Sequence, residues 1–383
     1  MGGVIVLAAG GTGGHAFPAR ALAEVLLARG RRVAIVTDRR GERLWGAPGG
    51  VDVHVVRAGS PSGPGLVARA QGLGVLALGV FQARGLLKAL KPPGVVGFGG
   101  YPSVPAVLAA AWQGVPAVVH EQNAVFGRAN RFLASRVSAI ATSFPKTVGL
   151  RPGASGKVRC TGNPVRARVA ALAMTPYVAP APDGPLSLLV LGGSQGAGVM
   201  DEVVPDALAA LATPLPERLS VAHQCRAEDA ESVRRRYEEA AIRAEVAPFF
   251  DDVPRRLADA QLVICRAGAA TVAEVTAAGR PALFVPYPDA TDDHQTRNAR
   301  AIEDAGGAWI MPQATVTPLA LGVRLEWLFA APGFWGEAAP TARAAARPPA
   351  AEALADVVEE VVPANGGRRV RRTGEVALPE AAA

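Results

Sequence analysis

Residues 4–15 read Val-Ile-Val-Leu-Ala-Ala-Gly-Gly-Thr-Gly-Gly-His, a short apolar run followed by a glycine-rich loop. A second stretch of this kind, at residues 186–196, reads Leu-Ser-Leu-Leu-Val-Leu-Gly-Gly-Ser-Gln-Gly. Each apolar run has the length of a strand that is buried on both faces, and each loop precedes an amphipathic helix. Glycines at such a bend let the backbone approach a ligand, and the free amides of the following helix attract negative charge. The two stretches therefore predict two doubly wound α/β domains that face each other across a cleft.

The rest of the chain alternates apolar runs with helical patterns, which predicts a parallel sheet in each half because right-handed crossovers connect the strands. Strands are predicted at Val4–Ala9, Val33–Thr37, Val51–Val56, Val95–Phe98, Ala117–His120 and Ala139–Thr142, and near Ser187–Leu191, Ser220–His223, Glu245–Pro248, Leu262–Cys265 and Ala282–Val285. The proline-rich run between Met174 and Pro185 cannot hold a helix or a central strand. We expect an amino-terminal domain at 1–165, a linker at 166–185, a second domain at 186–335, a helical segment at 336–363 with a last helix at about 350–361, and a disordered tail at 364–383.

The charge of the chain is unevenly distributed. Of the 383 residues, 1–180 hold 21 Lys or Arg against 5 Asp or Glu (21 − 5 = +16), and the remainder holds 19 against 28 (19 − 28 = −9). A GC-rich genome that favours arginine would explain this without any partner. The chain shows no nucleic-acid-binding motif and only 5% aromatic residues, so an anionic membrane surface fits the basic half better than nucleic acid does.

An apolar segment at residues 65–81 is flanked by Arg84, Lys88 and Lys91. A buried helix would explain it, and so would a peripheral membrane contact rimmed by basic side chains. Because Arg69 and Gln71 interrupt it, we expect no segment long enough to cross a membrane. Three widely spaced cysteines and the absence of a basic leader before Val4 predict a reducing cytoplasm.

The first loop also fits a different class of protein. Gly11, Gly13 and Ala16 satisfy the G-x-G-x-x-A fingerprint of dinucleotide-binding domains, and Asp38 ends the next predicted strand, where a ribose would lie. This pattern alone would favour an NAD(P)-dependent oxidoreductase. One dinucleotide site, however, does not explain the second glycine loop or the polar clusters at the other strand ends.

Those clusters follow predicted strands, where open parallel sheets bind ligands. They lie at Gly99–Ser103, His120–Asn123, Gly162–Arg166, Phe249–Asp252, Arg266–Glu274 and Asp292–Gln295. Together with the two glycine loops, the set resembles the MurG family of bacterial N-acetylglucosaminyltransferases over about residues 3–330. The resemblance implies the two-domain GT-B glycosyltransferase fold, with the acceptor domain first and the UDP-sugar domain second.

The resemblance also implies an activity. N-acetylglucosamine would pass, with inversion, from UDP-N-acetylglucosamine to the 4-hydroxyl of the muramyl sugar of lipid I, which gives lipid II for peptidoglycan synthesis. The enzyme would act at the cytoplasmic face of the bacterial inner membrane as a peripheral protein, with cell-wall and division proteins as further partners. Another UDP-sugar-dependent lipid glycosyltransferase is the alternative within this fold.

The family pattern assigns a role to each matching residue of the donor site. Ser194 and its glycine loop, with Gln195, would hold the donor diphosphate, and Arg166 would add positive charge. Glu274 would accept both ribose hydroxyls, and the main chain of Phe250 would contact the uracil. On the sugar side the expected residues are His294, Gln295 and Asn123.

On the acceptor side, the loop at Thr12, Gly13 and Gly14, with Tyr101 nearby, would cradle the pyrophosphate of the lipid. His15 is the predicted base, because histidine titrates near neutral pH; a phosphate-binding or purely structural histidine is the alternative. No Asp-x-Asp pair occurs, so we expect no required cofactor or metal and divalent ions that are stimulatory at most.

Overall fold

The computed structural model describes residues 3–45, 51–60, 65–193, 197–347 and 349–362, and these contain two all-parallel sheets. The first sheet has seven strands in the order β3-β2-β1-β4-β5-β6-β7. Its strands are β1 Val4–Ala8, β2 Arg32–Thr37, β3 Asp52–Val55, β4 Val95–Gly97, β5 Ala117–Glu121, β6 Ala139–Thr142 and β7 Val158–Cys160. The helices of this half are α1 Gly13–Ala28, α2 Arg39–Trp45, α3 Gly65–Leu90, α4 Gly100–Trp112, α5 Arg128–Leu133 and α6 Ala167–Ala170.

The second sheet has six strands in the order β10-β9-β8-β11-β12-β13. Its strands are β8 Leu186–Leu191, β9 Leu219–Gln224, β10 Arg243–Ala247, β11 Leu262–Cys265, β12 Ala282–Phe284 and β13 Ala308–Ile310. The helices are α7 Gly198–Ala209, α8 Leu215–Arg218, α9 Ala230–Glu239, α10 Val253–Asp259, α11 Ala269–Ala277, α12 His294–Glu303, α13 Pro318–Ala330, α14 Gly333–Ala346 and α15 Ala350–Val361.

The predicted fold class and the predicted strands are confirmed, with ends that differ by a few residues. Two strands were missed, β7 and β13, each three residues long. Both lie at an edge of their sheet, where a short pairing needs no long apolar run. The central strands β1 and β8 are fully or almost fully buried, as their continuous apolar sequences predict.

Helix α3 is longer than the sequence indicated. It runs for 26 residues, and by length and composition it could cross a membrane, so the expectation that no segment reaches that length is wrong. Arg69 and Gln71 do not break it because they lie in the part of the helix before Gly79, where no residue is buried and both side chains are exposed. Only Gly79, Val80, Ala83 and Leu87 are buried, and this face packs against α4.

The last two helices pack on different sheets. Trp335 of α14 belongs to the core of the second sheet, whereas Leu354 and Val358 of α15 belong to the core of the first. Ion pairs from Arg29 and Arg31 to Glu359, at 2.9 and 2.8 Å, hold α15 on the amino-terminal half. The chain therefore crosses twice between the two halves.

Both crossings meet at Gly162. Its φ of +82° is one that side chains rarely adopt, and a Cβ there would lie 2.7 Å from the carbonyl oxygen of Ala346 and 3.0 Å from the Cβ of Ala350. Glycine is required at this position for both reasons.

Candidate functional site

The carboxyl ends of the two sheets face a common cleft, and two adjoining cavities occupy it. The first, the Phe250 cavity, has a volume of about 580 Å³. It is lined by Gly13, Phe17, Arg166, Leu191, Gly193, Gln224, Cys225, Arg226, Ala227, Glu228, Pro248, Phe249, Phe250, Val253, Leu257, Thr271, Glu274 and Val275. Residues from both halves of the chain thus form one pocket, with Phe250 buried in its wall under the guanidinium of Arg256, 3.7 Å from the ring centre.

The second, the Gln295 cavity, has a volume of about 640 Å³ and shares Gly13, Phe17, Gly193, Arg226, Thr271 and Glu274 with the first. Its other walls are Gly14, Gly192, Gly198, Arg266, Tyr287, His294 and Gln295, together with neighbouring loop residues. The predicted residues Ser194 and Gln195 lie outside the described residues, and the described ends of their loop, Gly193 and Ala197, line this cavity. The two cavities together form one elongated site.

Arg166 and Glu274 contact each other in the wall of the Phe250 cavity, and Glu274 also lines the Gln295 cavity. The Arg166 Nε donates to Glu274 Oε1 at 2.6 Å and its Nη2 donates to Oε2 at 2.7 Å, which is a bidentate ion pair. The sequence predicted separate ligand contacts for these two residues. In this structure each side chain satisfies the other, so a ligand that uses either one must share or replace these bonds.

His15 lies in the first turn of α1, with its ring against Gly100 at the start of α4. Its Nδ1 is buried and makes no hydrogen bond to any of the described residues. Burial lowers the pKa of His15 below 6.5, against the hydrogen-bonding influence of Gln122 and the Phe98 carbonyl, and His294 from the opposite half lowers it slightly further. The imidazole is therefore neutral at neutral pH and able to accept a proton.

The other predicted acceptor-side residues surround His15. The Thr12 carbonyl accepts the N–H groups of His15 and Ala16, both at 3.0 Å, and so begins α1. Gly14 lines the Gln295 cavity, and Tyr101 stands half-buried in the first turn of α4. These residues lie together at the amino ends of α1 and α4, where helix dipoles favour an anion.

His120 belongs to one of the predicted strand-end clusters, but the sequence assigned it no role; in the structure it is a buried support. The amide Nε2 of Gln122 donates to His120 Nδ1 at 3.1 Å and to the Phe98 carbonyl at 2.8 Å. The ring proton of His120 therefore sits on Nε2, which donates to the Gly162 carbonyl at 3.1 Å. Burial lowers the pKa of His120 to about 4, so this arrangement is neutral.

Asn123, predicted to approach the transferred sugar, is held by protein groups at both ends of its amide. Its Nδ2 donates to Glu121 Oε1 at 3.3 Å, and its Oδ1 accepts from Asn298 Nδ2 at 3.1 Å. Asn298 is fully buried; it also accepts the Ala124 N–H at 2.8 Å and donates to the Ala267 carbonyl at 3.1 Å. Burial raises the pKa of Glu121, although its carboxylate accepts several hydrogen bonds.

Gln295 and His294 begin α12 on the far side of the cleft. The Gln295 Oε1 accepts the N–H groups of Ala267 and Tyr287 at 3.1 and 3.0 Å, so this side chain joins two loops of the second half. His294 Nδ1 lies 2.8 Å from the Thr291 carbonyl. Just before them, Asp292 forms an ion pair with Arg131 of α5, a further contact between the halves.

Two arginines in the cleft were not assigned a role from the sequence. Arg266 lines the Gln295 cavity and donates to the Val285 carbonyl at 3.1 Å; burial lowers its pKa. Arg226 lines both cavities and forms an ion pair with Asp229 at 2.6 Å. Arg266 stood in one of the strand-end clusters, whereas Arg226 gave no sequence signal because it follows β9 without a glycine loop.

The dinucleotide hypothesis places Asp38 at a ribose, but in this structure its carboxylate hydrogen-bonds to residues of α2. Its Oδ1 accepts the Gly41 N–H at 3.0 Å and its Oδ2 accepts from Arg40 Nε at 3.1 Å. A Cβ on Gly11 would lie 2.7 Å from the Gly41 nitrogen, so α2 packs directly on the first glycine loop. The carboxylate of Asp38 thus stabilises the start of α2.

Comparisons with known proteins agree along almost the whole chain. Residues 5–142 match the glycosyltransferase family 28 N-terminal domain, and residues 187–359 match the family 28 C-terminal domain. The chain is 51% identical over 95% of its length to the UDP-N-acetylglucosamine–N-acetylmuramyl-(pentapeptide) pyrophosphoryl-undecaprenol N-acetylglucosamine transferase of Paramagnetospirillum magneticum, 98% of which is covered. It is 52% identical to the enzyme of the same name from Rhodospirillum centenum, over 95% of this chain and 96% of that one.

A solved structure supports the same relationship. The crystal structure of MurG from Acinetobacter baumannii superimposes on this chain with a TM-score of 0.76 and a sequence identity of 33%. The alignment covers 94% of this chain and 99% of the A. baumannii chain.

Proposed function

Since the chain belongs to the MurG family of glycosyltransferase family 28, we propose that it transfers N-acetylglucosamine from UDP-N-acetylglucosamine to lipid I and so produces lipid II. The main support for this activity is that the chain is similar, over nearly its full length, to transferases that are named for this reaction. The two joined cavities between the sheets provide the cleft that a donor and an acceptor would share.

We assign the donor to the two cavities by their chemistry. The Phe250 cavity combines an apolar wall with backbone groups and accommodates the uracil and ribose, next to Glu274. The Gln295 cavity accommodates the diphosphate and sugar, because glycine loops, Arg226 and Arg266 line it. Ribose hydroxyls would then bind the carboxylate of Glu274, and Arg166 would shift from that carboxylate toward the phosphates.

His15 is the proposed base. The acceptor 4-hydroxyl attacks the anomeric carbon of the sugar, the bond from that carbon to the UDP oxygen breaks, and His15 takes the hydroxyl proton. A neutral imidazole suits this step, because it has a free lone pair for the proton. Thr12, Gly13, Gly14 and Tyr101 are proposed to bind the acceptor pyrophosphate beside it, and Asn123 is proposed to face the sugar.

The leaving UDP is proposed to be stabilised by arginines and helix-terminal amides, without a required metal. Arg166, Arg226 and Arg266 supply positive charge around the cleft. Turnover in excess EDTA tests this proposal: we expect most of the activity to persist, and its complete loss, restored by Mg²⁺, would show that a metal is essential.

Membrane association is proposed to be peripheral and to involve α3. One face of this helix exposes at least half of the surface of four apolar side chains, Leu66, Val67, Leu78 and Phe81. The opposite face packs on α4. A helix that is packed on one face and apolar on the other lies along a bilayer surface rather than through it. Because nucleotide sugars are cytoplasmic, we propose contact with the anionic cytoplasmic face of the inner membrane.

The deciding experiment incubates the protein with radiolabelled UDP-N-acetylglucosamine and a lipid I analogue, and measures labelled lipid. A diacylglycerol acceptor in place of the analogue tests the alternative lipid glycosyltransferase. Thermal unfolding in the presence of UDP or of NADPH tests the NAD(P)-dependent oxidoreductase alternative, because a ligand that binds the folded protein raises its melting temperature. No labelled lipid with either acceptor, together with stabilisation by NADPH alone, would refute the proposal.

A further inference from the structure

We propose that Arg256 is a positioning residue that sets the preference of the donor site for uracil over cytosine. It acts through Phe250, whose main chain is assigned to the uracil, so this inference rests on the proposed function. As far as the described residues form them, the walls of the two cavities include Phe250 but not Arg256. The arginine therefore supports the donor site from behind and does not touch the nucleotide.

The first argument is the state of the Phe250 main chain. Phe250 lies in the loop at 248–252, which joins β10 to α10 and lines the Phe250 cavity. No hydrogen bond joins its N–H or its carbonyl to another residue that the structure describes. These two groups are thus available to the uracil edge, in which the acceptor O4 stands beside the donor N3–H. Cytosine carries a donor and an acceptor in the reverse order and would meet both peptide groups with the wrong polarity.

The second argument is that Arg256 holds this loop at both ends and in the middle. Its Nη1 and Nη2 donate to Glu245 Oε2 and Oε1 at 2.8 and 2.6 Å, and Glu245 belongs to β10, before the loop. Its Nε donates to Asp252 Oδ1 at 2.6 Å, where the loop ends. Between these contacts, its Cζ lies 3.7 Å from the centre of the buried Phe250 ring. A planar guanidinium combines a rigid fork of donors with a face that stacks on a ring, and lysine cannot supply both.

The third argument is that these contacts restrain one another. The side chain of Arg256 is 15% exposed, and its hydrogen bonds lower the pKa of both Glu245 and Asp252, so both carboxylates are charged at neutral pH. An isolated surface ion pair contributes little, because two long side chains must be ordered for one contact. Here a bidentate pair, a second carboxylate and an aromatic ring all fix the same guanidinium. Removal of Arg256 therefore releases the loop at three points and lets the Phe250 main chain move.

The test measures the Kd of the full-length chain for UDP and for CDP by calorimetry. Arg256→Gln should weaken UDP binding by about 5- to 25-fold, as expected for one or two hydrogen bonds at about fivefold each. CDP binding should change by less than about twofold, because CDP does not form these bonds, so the preference for UDP falls by nearly the same factor. Glu245→Gln removes the contact to β10 and should lower the preference by a smaller factor. Arg255→Ala, at a neighbouring side chain that is 80% exposed, is the matched control and should keep both Kd values.

The ratio of the two Kd values decides the outcome. An unchanged ratio in Arg256→Gln overturns the inference, even where both affinities fall, because a general loss of structure weakens both nucleotides alike. If Arg256→Gln does not fold, the ratio in Glu245→Gln decides in its place. A wild type that binds UDP and CDP equally overturns the assignment of uracil to Phe250, and this inference with it. A wild type that does not bind UDP at all overturns the proposed function itself.

Discussion

Replacement of Asn298 by alanine tests whether the contact between the two halves of the chain sets the geometry of transfer. The fully buried Asn298 amide makes three hydrogen bonds, two to the acceptor half at Ala124 and Asn123 and one to the donor half at Ala267. The alanine variant leaves these partners unpaired. At about 1 kcal/mol for each lost bond, the cost is about 3 kcal/mol.

If that free energy is needed to hold the halves together in the transition state, kcat/KM falls by about 10²-fold. The base and ribose contacts in the Phe250 cavity do not involve Asn298, so the Kd for UDP should change by less than about threefold. The assay combines steady-state kinetics with UDP titration by calorimetry. Arg297→Ala, an exposed neighbour on the same helix, is the matched control and should behave as the wild type.

A double-mutant cycle with Asn123→Ala completes the test. The two residues share one hydrogen bond, so their effects on kcat/KM should be less than additive. Wild-type kcat/KM in Asn298→Ala, with a normal melting temperature, would refute the reasoning, since the buried bonds would then have no influence on either catalysis or stability.

Three further outcomes follow from the site. His15→Gln should lower kcat by about 10²- to 10⁴-fold with little change in the Kd for UDP, and a variant with full turnover would exclude His15 as the base. Because burial lowers the pKa of His15, the acid limb of the wild-type kcat/KM profile should have its midpoint below pH 6.5. Glu274→Gln should weaken UDP binding by about 10- to 100-fold, measured by calorimetry, because the ribose loses a charged acceptor; unchanged binding places the ribose elsewhere. The pKa of His120 is about 4 when folded and 6.5 when unfolded. As the pH falls from 7 to 5, the imidazole of His120 becomes protonated in the unfolded state but not in the folded state. The free energy of unfolding should therefore decrease by about 2 kcal/mol, which urea unfolding at the two pH values can measure.

The sequence predicted the fold well because buried parallel strands carry continuous apolar runs. Residues 4–8 and 186–191 are such runs, and both became central strands. Edge strands do not need this pattern: β7 reads Val-Arg-Cys and was not predicted. The length of α3 was missed because Arg69 and Gln71 looked like interruptions, whereas they lie in the first half of the helix, where no side chain is buried.

The candidate site could be predicted as a set of residues but not as a set of contacts. Arg166 and Glu274 stand 108 positions apart, and their bidentate pair depends on how the halves meet. The same holds for Asn123 and Asn298, since a lone asparagine inside an amphipathic helix has no pattern that distinguishes it. Local patterns identify which polar residues lie at strand ends. Tertiary packing decides which of these side chains already form hydrogen bonds or ion pairs with one another.

The junction at Gly162 constrains how the two halves can move. Because the outgoing and returning segments touch there, within 3.0 Å of a Cβ position, a sliding displacement would stretch both segments at once. Rotation about this point leaves them nearly in place and changes only the width of the opening on the opposite side. We expect any residue larger than glycine at 162 to displace Ala346 or Ala350 and so to change the angle between the two halves, and with it the width of the cleft.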